Sequence, residues 1–164
     1  MSQNAFVTGQ RISIPATLIY ARNQGRVLMV DHRKSGKWNG LGGKLEADES
    51  PWQGARREFQ EECGLLLPES AFQCLGWLQF PNFKASLRQD WFCFVFTVEV
   101  SDEDARRVQA GQEGALTWVP EGELLQLPLW PGDRLFLPRV LRREPFQGTL
   151  WYEAGQVLRH HLVP

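Results

Sequence analysis

The sequence has 164 residues, with 18 Lys and Arg against 19 Asp and Glu for a formal net charge of −1, and 43% of its residues are hydrophobic. That balance excludes the globally basic footprint of a protein that grips duplex nucleic acid by counterion release, and the apolar content excludes a disordered polyelectrolyte. A chain of this length buries roughly 70% of its unfolded surface, so one domain over residues 1–164 is expected, without disulfide or metal staples.

The opening stretch MSQNAFVTGQRIS has no basic-then-apolar leader pattern. No run reaches the roughly eighteen apolar residues of a membrane span, so a cytoplasmic protein with no membrane partner is expected. Cys63, Cys74 and Cys93 are odd in number and widely spaced, which points to free thiols used in packing. In chain order, residues 12–20 and 26–31 are β-rich runs joined by the polar turn Arg22, Asn23, Gln24 and Gly25. Residues 35–43, with several glycines around Trp38 and Asn39, read as a shaped loop. Pro51–Cys63 is the strongest helix signal: Ser50 can cap, Pro51 suits the first position, Gln53 completes a capping box and Gly64 can terminate.

Strands follow at 72–80 and 91–100, the second apolar on both faces and therefore central in a covered sheet. The polar segment 101–111 has room for a turn of helix before a short strand at 115–119. A second helix is expected over 132–143, kinked or interrupted by Pro138, and a closing hairpin over 149–153 and 157–162. The sum is an α+β domain with helices packed on a mixed sheet.

Chemistry concentrates on the first helix. Glu58, Glu61 and Glu62 fall at i, i+3 and i+4, on one side, while Trp52, Ala55, Phe59 and Cys63 form the neighbouring apolar stripe. Like charges so spaced repel, and Arg57 can pair with Glu61 while leaving the other two, so a cation is expected over them. Carboxylates without His or thiolate suit Mg²⁺, with Mn²⁺ able to substitute, rather than zinc. His32, His160 and His161 have no neighbouring ligand set and read as surface residues.

Gly43, Glu49, Arg57, Glu58, Phe59, Glu61, Glu62, Gly64 and Leu65 occupy every fixed position of the pattern G-x5-E-x7-R-E-U-x-E-E-x-G-U, with U a bulky apolar residue. A chance match in such a chain has a probability on the order of 10⁻⁸. By this box the chain is identified as similar to the Nudix hydrolases. The resemblance implies an α/β/α sandwich with a mixed central sheet and a loop-helix-loop metal site, acting on nucleoside diphosphates linked to another moiety. It implies Glu58, Glu61 and Glu62 as metal ligands and an Arg57–Glu49 supporting pair, with the general base open between the box and Glu113.

Outside the box, the segment from Trp38 to Lys44 and the segment Trp130-Pro131-Gly132-Asp133 resemble the MutT-related oxidised-purine nucleoside triphosphatases. That likeness implies that Asn39 and Asp133 read the base, Trp130 stacks on it, and Thr17 and Phe80 line its pocket. It also puts Lys44 among the substrate contacts, and has the Gly42 carbonyl and Glu113 complete the metal shell. Gly132 stands where that group carries the first of two acids. The implied activity is Mg²⁺-dependent cleavage of purine nucleoside triphosphates such as 8-oxo-dGTP to monophosphate and pyrophosphate, in nucleotide-pool sanitation and DNA repair. The expected partners are a small nucleotide and no stable nucleic acid, with a monomer or homodimer. Alternatives are ADP-ribose, a dinucleoside polyphosphate, a pterin triphosphate or capped RNA as substrate, or a catalytically inactive nucleotide-sensing module.

Overall fold

The computed structural model describes residues 9–164, so the part of the leader reading that rests on residues 1–8 lies outside the described residues. Strand β1 (Ile12–Asn23) turns through Gln24 and Gly25, at φ 46° and 72°, into β2 (Arg26–His32). Two residues at positive φ make the tight hairpin turn that matches strand twist. Arg22 and Asn23, expected in the turn, are instead buried at the end of β1. Arg22 donates to the Leu141 carbonyl at 3.1 Å and pairs with Glu121, and Asn23 Nδ2 donates to the Val100 carbonyl at 3.0 Å. Polar residues at a strand end are buried here because long-range carbonyls satisfy them.

The hairpin holds only two facing pairs, Arg22 with Val27 and Asn23 with Arg26, before the strands part. β1 then runs parallel to β5 (Gln89–Glu99), while β2 pairs along one edge with β6 (Ala115–Pro120). The seam left between β1 and β2 is filled by the glycine-rich segment. β3 (Lys37–Asn39) pairs with the far end of β2, correcting the expectation of loop throughout 35–43. Beyond it, Ile19 N–H donates to the Leu41 carbonyl at 2.7 Å and Thr17 N–H to that of Gly43 at 2.8 Å, so the chain lies along β1 as a broken strand.

Helix α1 (Pro51–Cys63) has the predicted bounds and caps. Gln53 N–H donates to Ser50 Oγ at 3.2 Å, and Ser50 N–H to Gln53 Oε1 at 2.8 Å. Ala55, Phe59 and Cys63 are fully buried, whereas Trp52 is 41% exposed and meets the sheet edge-on, its ring 5.5 Å from that of Phe96. The apolar stripe is thus three residues with an aromatic flap at its margin.

β4 (Phe72–Lys84) runs past the expected end at Phe80, because its pairing with β5 breaks after Phe80 at Pro81 and resumes at Lys84. A proline can sit in a strand at such an irregularity. α2 (Asp102–Arg107) supplies the expected turn of helix, capped by Ser101. α3 (Asp133–Leu141) contains Pro138 yet continues beyond it, Arg142 N–H donating to the Pro138 carbonyl at 3.2 Å. β7 (Phe146–Glu153) and β8 (Gln156–Val163) form the closing hairpin, β7 starting earlier than expected but ending where expected, and β8 reaching one residue further at each end.

The mixed sheet has the order β3-β2-β1-β5-β4-β7-β8, with β6 on the other edge of β2, so β5 is central as its apolar faces require. α1 covers one face against Ile19, Ala21, Val30, Phe96 and Val98. Phe136, Leu137 and Val140 of α3 cover the other, against Tyr20, Leu78, Val95 and Leu150. The layers are those of the expected sandwich. Cys63 and Cys93 are buried free thiols and Cys74 is half-buried. Among the described residues no helix is long and apolar enough to cross a membrane.

Phe59 anchors α1 with no exposed surface and an edge-on contact to Phe72 at 5.5 Å. Phe59→Ala is expected to lower the unfolding free energy by about 3–5 kcal/mol in urea titration; a loss below about 1 kcal/mol would mean that α1 is not held by this contact.

Candidate active site

The carboxylates of α1 reach different surroundings. Arg57 forms a fork with Glu49, Nε to Oε1 at 2.5 Å and Nη2 to Oε2 at 2.9 Å, and Nη2 also donates to the Lys44 carbonyl at 3.0 Å. Its Nη1 donates to Glu58 at 2.9 Å and to Glu61 at 3.2 Å. Arg57 therefore touches two of the three helix glutamates, not Glu61 alone as the helical spacing suggested. The guanidinium holds the Glu49 carboxyl below its usual range. Glu61 points outward, while burial raises the pKa of Glu58 against the opposing pull of Arg57.

Glu62 is 6% exposed and accepts the Gly42 N–H at 2.6 Å. Burial lifts its pKa to about 9; the Gly42 N–H opposes the shift, and the neighbouring Glu113 and Glu58 carboxyls add to it. Glu113 arrives from the loop between α2 and β6. Gln109 N–H donates to the Cys63 carbonyl at 3.0 Å and Gly111 N–H to that of Glu62 at 2.8 Å, which ties the loop to the end of α1. A Cβ on Gly114 would stand 2.1 Å from the Asp31 carbonyl oxygen, so the loop lies against β2 as only glycine allows. Gly43 is equally tight, since a Cβ there would meet the Glu58 carboxyl carbon at 2.5 Å.

Glu58 and Glu113 lie at one end of a cavity of about 500 Å³ whose wall also includes Thr17, Asn39, Gly42, Lys44, Phe80, Trp130 and Asp133. That volume lies within the roughly 300–1,000 Å³ of small-molecule sites. β3 sets the position of two of these residues: Asn39 ends it, and Trp38 N–H donates to the Pro128 carbonyl at 3.1 Å, which brings Trp130 alongside. Asn39 Oδ1 accepts the Gly40 N–H at 2.8 Å. At the far end Asp133, 6% exposed, has a buried Oδ2 with no hydrogen-bond partner, and burial pushes its pKa up to about 8 against the opposing charge of Arg134. Lys44 Nζ lies 5.7 Å over the Trp91 ring.

The structure thus brings Thr17, Asn39, Gly42, Lys44, Glu58, Phe80, Glu113, Trp130 and Asp133 to one cavity, with Glu62 behind Gly42, Arg57 supporting from the helix and Glu49 from the loop before it. Glu61 stays apart on the solvent side. Phe80 lines the wall from within β4, at the last regular pair before the break. Sequence reading missed Phe83, Lys84, Trp91, Cys93, Tyr152 and His32, which also line the wall. His32, expected as a surface residue, is half-buried at the cavity edge. Inward alternation along β7 would have singled out Tyr152, but not the cavity it faces.

Among the described residues no three His, Cys, Asp or Glu side chains stand in ready-made metal geometry. The donor set nonetheless fits a hard divalent ion: Glu58, Glu62 and Glu113 offer oxygen only, and burial already disfavours the charge of Glu58 and Glu62.

A family model described as the NUDIX domain matches residues 13–140. An oxidized purine nucleoside triphosphate hydrolase of Danio rerio is 28% identical over 151 residues, covering 88% of this chain and 90% of that protein. The Mus musculus protein of the same name is 27% identical, covering 84% and 85%. The crystal structure of a MutT protein from Bacillus halodurans superposes with a TM-score of 0.77 at 25% identity, covering 92% of this chain and 98% of that one.

With a pKa lifted from 4.5 to about 9, Glu62 takes up a proton on folding, so its contribution to stability falls as pH rises through that window. Glu62→Gln keeps an acceptor for the Gly42 N–H and cannot ionise. In chelator it is expected to melt above the wild type at pH 8, the gap closing towards pH 4.5. A gap independent of pH between those limits would dissociate the effect from Glu62 ionisation.

Proposed function

The chain belongs to the Nudix hydrolase family, and from that premise we propose that it is a Mg²⁺-dependent pyrophosphohydrolase of purine nucleoside triphosphates, oxidised ones such as 8-oxo-dGTP included. In this reading residues 1–164 work as one domain, β7 and β8 included, in the cytoplasm and in nucleotide-pool sanitation. The observation that carries it is one cavity with crowded carboxylates at one end and an unpartnered buried carboxyl at the other, beside an indole. A nucleotide has the matching polarity, with polyphosphate at one end and a hydrogen-bonding base at the other.

Glu58, Glu62 and Glu113 with the Gly42 carbonyl would hold the ion, and Glu61 would join from the solvent side. A bound divalent ion supplies neutralisation of phosphate oxygens and acidification of water. The chain's own groups do the rest. Arg57, fixed by Glu49, orients Glu58 through the Nη1 bond. A glutamate of this set, from the box or Glu113, accepts the proton of the attacking water, and Lys44 adds positive charge near the phosphate chain. Trp130 stacks on the purine, since an indole offers a large face at low entropic cost. Asn39 and Asp133 hydrogen-bond its edge, while Thr17 and Phe80 bound the space. Cleavage releases a nucleoside monophosphate and pyrophosphate.

A panel assay with Mg²⁺ over 8-oxo-dGTP, dGTP, ATP, ADP-ribose and dinucleoside polyphosphates tests the substrate. 8-oxo-dGTP is expected to be among the substrates with the highest kcat/KM; a clear preference for ADP-ribose or a dinucleoside polyphosphate would replace this substrate, and no turnover of any would leave a sensing module. Glu62→Gln is expected to cut kcat by at least about 10²-fold with the fold intact, as an amide cannot supply the lost charge. Asp133→Asn is expected to lower kcat/KM on guanine substrates about tenfold and to spare a pyrimidine control. Equal losses on both would exclude Asp133 from base reading.

A further inference from the structure

The cavity floor holds a second polar group beside Asp133. Tyr152 on β7 is 3% exposed and lines the cavity. Its ring is clamped edge-on by Phe83 at 5.2 Å and Phe80 at 5.9 Å, and the Asn82 Nδ2 donates to its carbonyl at 3.2 Å. The hydroxyl occupies the space where a side chain at position 132 would begin: a Cβ on Gly132 would stand 2.3 Å from Oη. Any residue with a side chain at 132 and this hydroxyl exclude one another, so Gly132 makes room for a fixed phenol one residue away from Asp133. Burial, and the Asp133 charge when that group ionises, hold the phenol in its protonated form against the opposing Gly132 N–H, which the phenol oxygen accepts, so its O–H stays a donor. Tyr20 also presses on Asp133 but does not line the cavity, so its hydroxyl cannot reach a ligand there.

The cavity wall therefore combines one phenol O–H donor with a carboxyl whose buried Oδ2 no protein group satisfies. The complementary edge is a carbonyl oxygen beside N–H donors, as on a 6-oxopurine bearing a 2-amino group. A 6-aminopurine offers one donor and one acceptor in the opposite order, so with the ring stacked the same way both floor groups face mismatched atoms. We propose that Tyr152 is a specificity-determining residue: its hydroxyl donates to the 6-carbonyl of a guanine-type base while Asp133 accepts from N1–H and the 2-amino group. This rests on the purine-nucleotide reading above and deepens it.

Binding of the monophosphates dGMP and dAMP to the full chain, measured by calorimetry without divalent ion, isolates base recognition from hydrolysis. Wild type is expected to prefer dGMP. Tyr152→Phe, which removes one oxygen and keeps the ring, should weaken dGMP binding about tenfold and change dAMP binding less than about twofold. Equal weakening of both, no weakening, or no dGMP preference in the wild type would overturn the proposal. Gly132→Ala supplies a second readout: it should weaken dGMP binding in the wild-type background and markedly less in Tyr152→Phe, where Oη no longer opposes the new Cβ. Equal losses in both backgrounds would also overturn it. The predicted pattern of monophosphate binding without turnover of purine triphosphates would sink the proposed function and leave this inference standing.

Discussion

The parting of β1 from β2 is the constraint on which the rest of the molecule depends. Two antiparallel strands that separate after two pairs leave a row of unpaired backbone groups on β1, and buried peptide groups without partners are costly. The segment from Leu41 to Leu45 satisfies them and, in doing so, fixes the site. Gly42 at φ 140° passes so close to β1 that a Cβ would stand 2.0 Å from the Thr17 carbonyl oxygen. The same tight passage turns the Gly42 N–H onto Glu62 and packs Gly43 against Glu58. Backbone repair and carboxylate positioning are thus one structural event.

Electrostatics follow from that placement. Glu49, Glu58 and Glu61 share a single guanidinium, while Glu62 has one backbone donor and an acidic neighbour in Glu113. Within the protein alone the set is under-compensated. Burying a carboxyl in this way disfavours its ionised form, and a divalent cation of the kind this family generally uses would relieve the imbalance. Arg57 cannot fill that role for Glu62, because its fork is committed to Glu49 and the Lys44 carbonyl on the other side of the helix.

How much of this was legible in the sequence depended on how local the physics is. The bounds of α1 were legible because Ser50, Gln53, Pro51 and Gly64 act within one turn of its ends. The acidic set was legible because helical periodicity alone brings Glu58, Glu61 and Glu62 to one side. β3 was not, since three residues between glycines carry no period and become a strand only because β2 and the Pro128 carbonyl wait for them. The burial of Arg22 and Asn23 was hidden for the same reason: their partners lie at Leu141, Glu121 and Val100. Tyr152 is a core aromatic, and Phe83 and Trp91 are half-buried against the same core. Their edge contacts also build a cavity wall, which no pattern along one strand announces.

Two buried carboxyls, Glu62 behind Gly42 and Asp133 in the cavity wall, pose the same problem to the fold, and in the proposed function they would answer to different parts of one ligand. Each has a pKa raised mainly by desolvation, and each lacks enough protein donors to hold its charge. Beside α1 a compact cation would compensate several carboxylates at once. At Asp133, whose neighbours in the cavity wall include the aromatic rings of Phe83, Trp130 and Tyr152, the N–H donors of a flat base would compensate the carboxyl in the proposed reading. A ligand carrying both kinds of compensation satisfies both ends together and binds the folded state alone. Occupancy should then stabilise the fold by mass action, so the free energy withheld by two unsatisfied carboxyls becomes affinity for a molecule with a charged tail and a hydrogen-bonding ring.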